Sequence, residues 1–228
     1  MCIRNIKYFI YYNKKSWVYV CIQYYDTLHL EMSPMAGFPV SNFDINWLGP
    51  FDAFDIMNPE SEVARENDHA GIYIQQLINA SGNLVTTYLG KSETSVSYRQ
   101  SQHFMSYDQG IYDLYDANGS ITFRSYSAKP TNFDQLLVDH LNLMHVFVGK
   151  ISKNSCSDST IVSAVEALLL QSPTWNSQSP RTRILNKSKG KTDYAFWQDL
   201  TLQHIAPPEV ITALGGKTNW NRTTKCIT

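Results

Sequence analysis

The sequence predicts an α+β fold: a small three-stranded β-sheet flanked by helices, with a β-hairpin insertion. Two short runs rich in β-branched and aromatic residues, 71–78 (GIYIQQLI) and 84–90 (LVTTYLG), are separated by Asn79-Ala80-Ser81-Gly82-Asn83, the composition of a hairpin loop. A third run, 145–151 (HVFVGKI), reads as a strand between two stretches whose apolar residues recur at helical spacing. Asn118-Gly119, set between the β-favouring residues of 111–126, is the strongest short hairpin signal in the chain and marks a surface insertion.

Taken in order, residues 1–31 form an atypical N-terminal extension, dense in tyrosine, with apolar runs broken by Asn13, Lys14 and Lys15. Those runs are too short for a bilayer span, and no small-residue cleavage site follows them. Residues 32–68 are acidic and punctuated by Pro34, Pro39, Pro50 and Pro59, which predicts a loop-like lead-in segment packed on the domain. The main domain is expected over 69–191. After its hairpin, a helix capped by Ser92 or Thr94 runs to Tyr107 and is ended by Gly110. Asn132 and Gln135 have capping-box spacing ahead of the stripe Phe133, Leu136, Leu137, Leu141 and Met144. A second helix, capped by Asp158 or Ser159, presents Ile161, Val162, Val165, Leu168 and Leu169. Residues 192–228 are expected as a C-terminal appendage in which Pro207-Pro208 opens a last helix.

With 228 residues, 43% hydrophobic and only 17% charged, the chain has ample material for a core and lacks the signature of disorder. A net charge of -1 excludes an overall basic coat. The charge is polarised nonetheless: residues 176–228 carry eight basic against three acidic side chains, beside an acidic middle suited to a cation. Cys2, Cys21, Cys156 and Cys226 are scattered without ligand spacing, which points to a reduced compartment. The expected location is the cytoplasm, with the nucleoid and the nucleus both compatible, and no membrane partner. Zinc motifs, a P-loop and a dinucleotide fingerprint are absent from the sequence.

The residue types suited to chemistry fall in a particular order. Gly71-Ile72-Tyr73 stands on the first strand and Tyr88-Leu89-Gly90-Lys91 on the second. A hairpin centred between Ala80 and Ser81 sets Tyr73 directly across from Tyr88, with both phenols on one face. Arg99 and His103, four residues apart, share a helix face. The arginine's fixed fork suits phosphate, and the histidine can give or take a proton near neutrality. Lys91 is placed to favour a neighbouring phenolate. Glu166 is the only glutamate between Glu93 and Glu209 and borders the apolar stripe of its helix. A carboxylate there is costly unless a partner or a metal compensates.

In this order the motifs resemble the GIY-YIG nuclease superfamily over about residues 69–186, the second motif departing only by Leu89 in place of Ile. The resemblance implies a GIY-YIG-like fold and a metal-dependent DNA endonuclease hydrolysing phosphodiester bonds, in restriction, repair or mobile-element biology. The alternative is a catalytically inactive GIY-YIG-like DNA-binding or interaction module. It further implies that Tyr73 is the base for the attacking water, directly or after losing its proton to His103. Tyr88 then orients the water or the phosphate, Arg99 binds the scissile phosphate, and Glu166 holds one Mg²⁺ or Mn²⁺. Members carry an asparagine after that helix, here Asn176 or Asn186. Asn186 is preferred because Arg181, Arg183, Lys187, Lys189 and Lys191 surround it with the charge a DNA backbone requires, and Lys91 joins that nucleic-acid-binding set.

Overall fold

The computed structural model describes residues 8–12, 18–22, 42–152, 159–177, 183–186, 200–221 and 226–228. The chain divides into two compact units, 1–37 and 38–228. In the first, β1 (Tyr8–Tyr12) and β2 (Val18–Ile22) pair antiparallel, with Tyr8 opposite Ile22.

The second unit is α+β and built on one mostly antiparallel sheet. Its elements are β3 (Asn42–Asp52), α1 (Ala53–Met57), α2 (Glu62–Glu66), β4 (Gly71–Ile78), β5 (Leu84–Ser92) and α3 (Val96–Asp108). They are followed by β6 (Leu114–Tyr115), β7 (Ile121–Phe123), α4 (Phe133–Leu141), β8 (Met144–Ile151), α5 (Ser159–Gln171) and α6 (Pro173–Asn176). The chain closes with β9 (Arg183–Ile184), β10 (Leu200–Ile205), α7 (Pro208–Leu214), β11 (Lys217–Asn221) and β12 (Cys226–Ile227). Eight strands share the sheet in the order β12-β11-β10-β3-β8-β4-β5-β9, while β6 and β7 pair separately. Only the β10–β3 and β5–β9 pairs are parallel.

The three expected strands, β4, β5 and β8, are contiguous in this sheet, but the sheet does not stop at three. The segment expected as a loop-like lead-in holds β3, an eleven-residue strand that pairs with both β8 and β10. Its Phe43, Ile45 and Trp47 are buried and the residues between them exposed, a clean period-two pattern. The C-terminal segment supplies β10, α7, β11 and β12, whose Leu202, Val210, Leu214 and Trp220 are core residues. The added strands bury apolar side chains that a three-stranded sheet would leave in water.

Two apolar layers cover the sheet. On one face Ile72, Ile74, Leu89 and Phe147 pack with α5, Trp175 and the α7 residues. On the other, Tyr73, Val146 and Val148 pack with α1, α3, α4 and the β6–β7 hairpin. Covered on both faces, β4 is buried over its first seven residues, Gln75 and Gln76 included, with no alternation of buried and exposed positions.

Local chemistry fixes the boundaries. Ser95, one residue beyond the expected caps, closes the start of α3 by accepting the Tyr98 N–H at 3.0 Å, and Ser92 accepts the Ser95 N–H at 3.0 Å instead. The Asn132–Gln135 pair makes no capping box: Asn132 gives α4 no side-chain cap bond, and Gln135 Nε2 donates to Asp139 at 2.8 Å. The β6–β7 hairpin does form at Asn118-Gly119, but Leu114, Tyr115 and Phe123 are buried, so it is a core element as much as a surface one.

Candidate functional site

The register of the β4–β5 hairpin places Tyr73 opposite Gly90 and Gln75 opposite Tyr88, not Tyr73 opposite Tyr88. Each partner thus lies two residues further along β5 than expected, one residue of that offset arising at the irregularity between Leu77 and Ile78 and the other in the loop. The two phenols are therefore diagonal neighbours on one face, with ring centroids 6.0 Å apart. The vacancy of side chain at Gly90 makes this possible: a Cβ there would lie 2.5 Å from Cζ and Oη of Tyr73 and 2.8 Å from Cε1 of Tyr88. Gly71 is constrained in the same way, because a Cβ would stand 2.8 Å from the Gly149 carbonyl on β8. Gly90→Ala is accordingly expected to cost about 1–3 kcal/mol of overpacking. It should displace the Tyr73 hydroxyl as well, which urea unfolding paired with the activity assay below will register.

Tyr73 is 0% exposed, and its hydroxyl lies 2.7 Å from Nε2 of His103 on α3. His103 packs edge-on against both Tyr73 and Tyr88, at 5.7 and 5.6 Å between centroids. Burial, with the Arg99 charge adding to it, pushes the histidine down to about 4, so the ring is neutral at pH 7. The neutral ring can accept the Tyr73 O–H at Nε2 when its own proton sits on Nδ1. Burial drives the Tyr73 phenol up; Tyr88 adds to the rise and Arg99 opposes it. The expected lowering of this phenol is thus not a property of the folded chain alone. Tyr88 is also raised, chiefly by burial.

Glu166 is set by its helix. From Ile161 to Leu170 every residue of α5 is buried except Glu166, which is half-buried and lines a cavity. Burial raises its carboxyl pKa; Lys91 and Arg99 pull it down, and Glu93 pushes it up. The charges of Arg99 and Glu166 also act on Tyr88, so these elements converge on one place. The cavity is about 670 Å³ and is bordered by Tyr88, His103, Glu166 and Asn186 together with Gln75 and Tyr112. Its wall draws on both apolar layers, with Leu170 and Ile184 from one and Tyr88, Tyr107 and Tyr112 from the other.

The remaining predicted residues divide. Asn186 borders the cavity, but its amide is engaged: Oδ1 accepts the Leu89 N–H at 3.0 Å and Nδ2 donates to the Leu89 carbonyl at 2.6 Å. It thereby extends the β9 edge of the sheet. Asn176 instead donates to the Leu170 and Ser172 carbonyls, closing the end of α5. Lys91 bonds Glu93 and Ser163, and Ser163 donates to Glu93 at 2.8 Å, so this lysine is held against α5. Arg99 donates to Gln102 Oε1 at 2.9 Å and is half-buried. Arg181, Lys187, Lys189 and Lys191 lie outside the described residues, as does the side chain of Arg183.

Sequence reasoning missed the tyrosines of the cavity wall. Tyr107 and Tyr112 stack edge-on at 4.9 Å, Tyr112 approaches His103 at 5.9 Å, and Tyr126 stands at the rim. Their only trace in the sequence is the density of tyrosine around 107–126. Gln75 was missed as well; its Nε2 donates to Gln100 Oε1 at 2.7 Å inside the protein.

Among the described residues no group of three or more His, Cys, Asp or Glu side chains could hold a metal ion. A single desolvated carboxylate still fits Mg²⁺, which is usually bound through one or two carboxylates with water and substrate phosphate completing its octahedron. Glu166 fits that role, whereas Glu93 is occupied by Lys91 and Ser163. No helix of the described residues is long and apolar enough to cross a membrane. Comparison of the chain with protein-family models, with curated proteins and with solved structures finds no match.

Proposed function

We propose that this chain is a metal-dependent DNA endonuclease of the GIY-YIG type. The observation that carries the reading is the convergence of five side chains from four separate elements: Tyr88, His103 and Glu166 on the wall of one cavity, with Tyr73 and Arg99 beside them. Arg99 supplies a permanent charge for a phosphodiester, and Tyr88, which borders the cavity, orients the attacking water. The water's proton leaves through a short chain of side chains. Tyr73 is buried behind Tyr88 with its hydroxyl 2.7 Å from Nε2 of His103, a distance that suits its passing a proton to that nitrogen as it receives one from the cavity side. An incoming phosphate raises the basicity of His103 by its negative charge. Glu166 is the residue to hold Mg²⁺ or Mn²⁺, whose chemistry is to polarise the phosphate and stabilise the leaving oxygen.

The basic cluster Arg181, Arg183, Lys187, Lys189 and Lys191 supplies sequence-independent affinity for the DNA backbone. Incubation of the full chain with supercoiled plasmid and Mg²⁺ or Mn²⁺ tests the reading. Nicked or linear product that disappears with chelator is the expected result. Tight DNA binding without product under either metal would establish the non-cleaving module in its place.

A further inference from the structure

The cavity beside Glu166 is larger than phosphodiester chemistry requires. At about 30 Å³ for each water-sized ligand, six oxygens around a cation take up about 180 Å³. Most of the 670 Å³ remains. That volume is in the range of small-molecule pockets, and much of its wall has a distinct character. Ile111, Tyr112, Tyr115, Tyr126 and Leu170 form an uncharged, largely aromatic part of the lining. Asp113, on the same wall, accepts the Ser125 N–H at 2.7 Å and pairs with Arg124 at 3.3 Å.

Tyr126 is the most unusual residue of this wall. It is 79% exposed, and its φ of 61° is the single positive value at a non-glycine residue among the described residues. A bulky side chain in that left-handed region is strained, and such strain persists only where the surroundings hold it. Here they do: the Tyr126 N–H donates to the Gly110 carbonyl at 2.9 Å, and the Ser125 N–H is tied to Asp113. The folded chain therefore keeps a large aromatic ring in solvent, at a backbone conformation suited to glycine, on the rim of the candidate site. Ring contacts run along the wall from Tyr112 to His103, and from His103 to Tyr73 buried behind it.

We infer that this aromatic part of the cavity wall receives an unpaired nucleobase, stacked on Tyr126 and Tyr112, of the nucleotide next to the cleaved phosphate. The inference rests on the nuclease reading for the position of the phosphate and deepens it by naming the substrate class. The substrate is DNA with an extrahelical or single-stranded base beside the scissile bond, and intact duplex is a poor one. A flat heterocycle with π faces and polar edges matches the aromatic and apolar wall, whereas a paired base inside a duplex cannot reach it.

The test uses fluorescence anisotropy on the full chain in chelator, with a labelled duplex carrying one bulged thymine and the same duplex fully paired. The expected result is tighter binding of the bulged probe by about tenfold, the scale of one base-aromatic stack. Tyr126→Phe should retain that preference. Tyr126→Gly should erase it while raising Tm, because glycine relieves the strained φ, so loss of preference cannot be ascribed to a damaged fold. Equal affinity of the wild type for both probes, or a preference that survives Tyr126→Gly, overturns the inference. Plasmid nicking with Mg²⁺, run on the same preparation, separates the two claims. Nicking without any bulge preference removes the base pocket and leaves the nuclease; a bulge preference without product under either metal removes the nuclease and leaves the base pocket.

Discussion

Tyr73→Phe is expected to slow DNA cleavage by at least about a hundredfold, the low end of general-base effects, while the protein remains folded. The ring is fully buried between Gly90, Tyr88 and His103, and phenylalanine keeps that packing. What is lost is one hydroxyl and its 2.7 Å bond to His103 Nε2. An unsatisfied ring nitrogen costs about 1–3 kcal/mol, which a domain with about 5–15 kcal/mol of stability survives. The catalytic loss is larger because the proposed proton path runs through this hydroxyl to His103. His103→Ala should therefore be as slow as Tyr73→Phe, and the double variant no slower than either single one, as befits two groups acting as a unit. Initial rates on supercoiled plasmid for the four proteins decide the matter. Near-normal cleavage by Tyr73→Phe with a dead His103→Ala makes the histidine the base and the tyrosine a packing residue. Multiplying losses would mean two independent roles.

The parts of this arrangement legible in the sequence are those set by local pattern. The runs of β4, β5 and β8, the helix carrying Arg99 and His103, and the helix carrying Glu166 announce themselves through periodicity, turn residues and spacing. Glu166 stands out because a lone carboxylate in VEALLL has few cheap positions, and the structure gives it the one half-buried position between Ile161 and Leu170. What was not legible depends on long-range pairing. Phe43, Ile45 and Trp47 alternate in β3, yet Asn and Asp between them and prolines around them read as loop, and the partners β8 and β10 lie far away in the chain. The exact hairpin register is not legible because the loop and the irregularity at Leu77/Ile78 each shift the pairing by one residue. The depth of Tyr73 escaped for a related reason: it depends on which layers cover β4, and the β6–β7 hairpin that helps to cover it looked like a surface insertion.

Mild acid is expected to unfold this protein between about pH 6.5 and pH 4, and buried histidines set that window. His103, His140 and His204 are each buried, and burial lowers each from 6.5 to about 4, with the Arg99 charge contributing at His103. Because their folded values lie below the unfolded one, the unfolded chain binds more protons throughout the window. Stability is then full above about pH 6.5 and falls as the pH drops towards 4. Charging each ring in place costs on the order of 3 kcal/mol, so two of them consume much of a typical domain's stability. Hydrogen bonding ranks the three. Nδ1 of His204 accepts the Trp47 indole N–H at 3.2 Å, and Nδ1 of His140 accepts the Tyr115 backbone N–H at 3.1 Å. A protonated nitrogen in either place would face another donor. At His103 the Tyr73 hydroxyl can rotate and become the acceptor, so protonation there is less disruptive. Glu166 acts in the opposite sense, since its raised pKa makes the folded state bind a proton more readily as the pH falls, but it is one group against three. Urea unfolding at successive pH values should show stability falling by up to about 4 kcal/mol per pH unit where all three histidines titrate. His204→Gln keeps an acceptor for Trp47 and cannot be charged, so its acid midpoint should move to lower pH. A wild type that stays folded at about pH 3, or a His204→Gln midpoint that does not move, would remove these histidines as the origin of the acid limit.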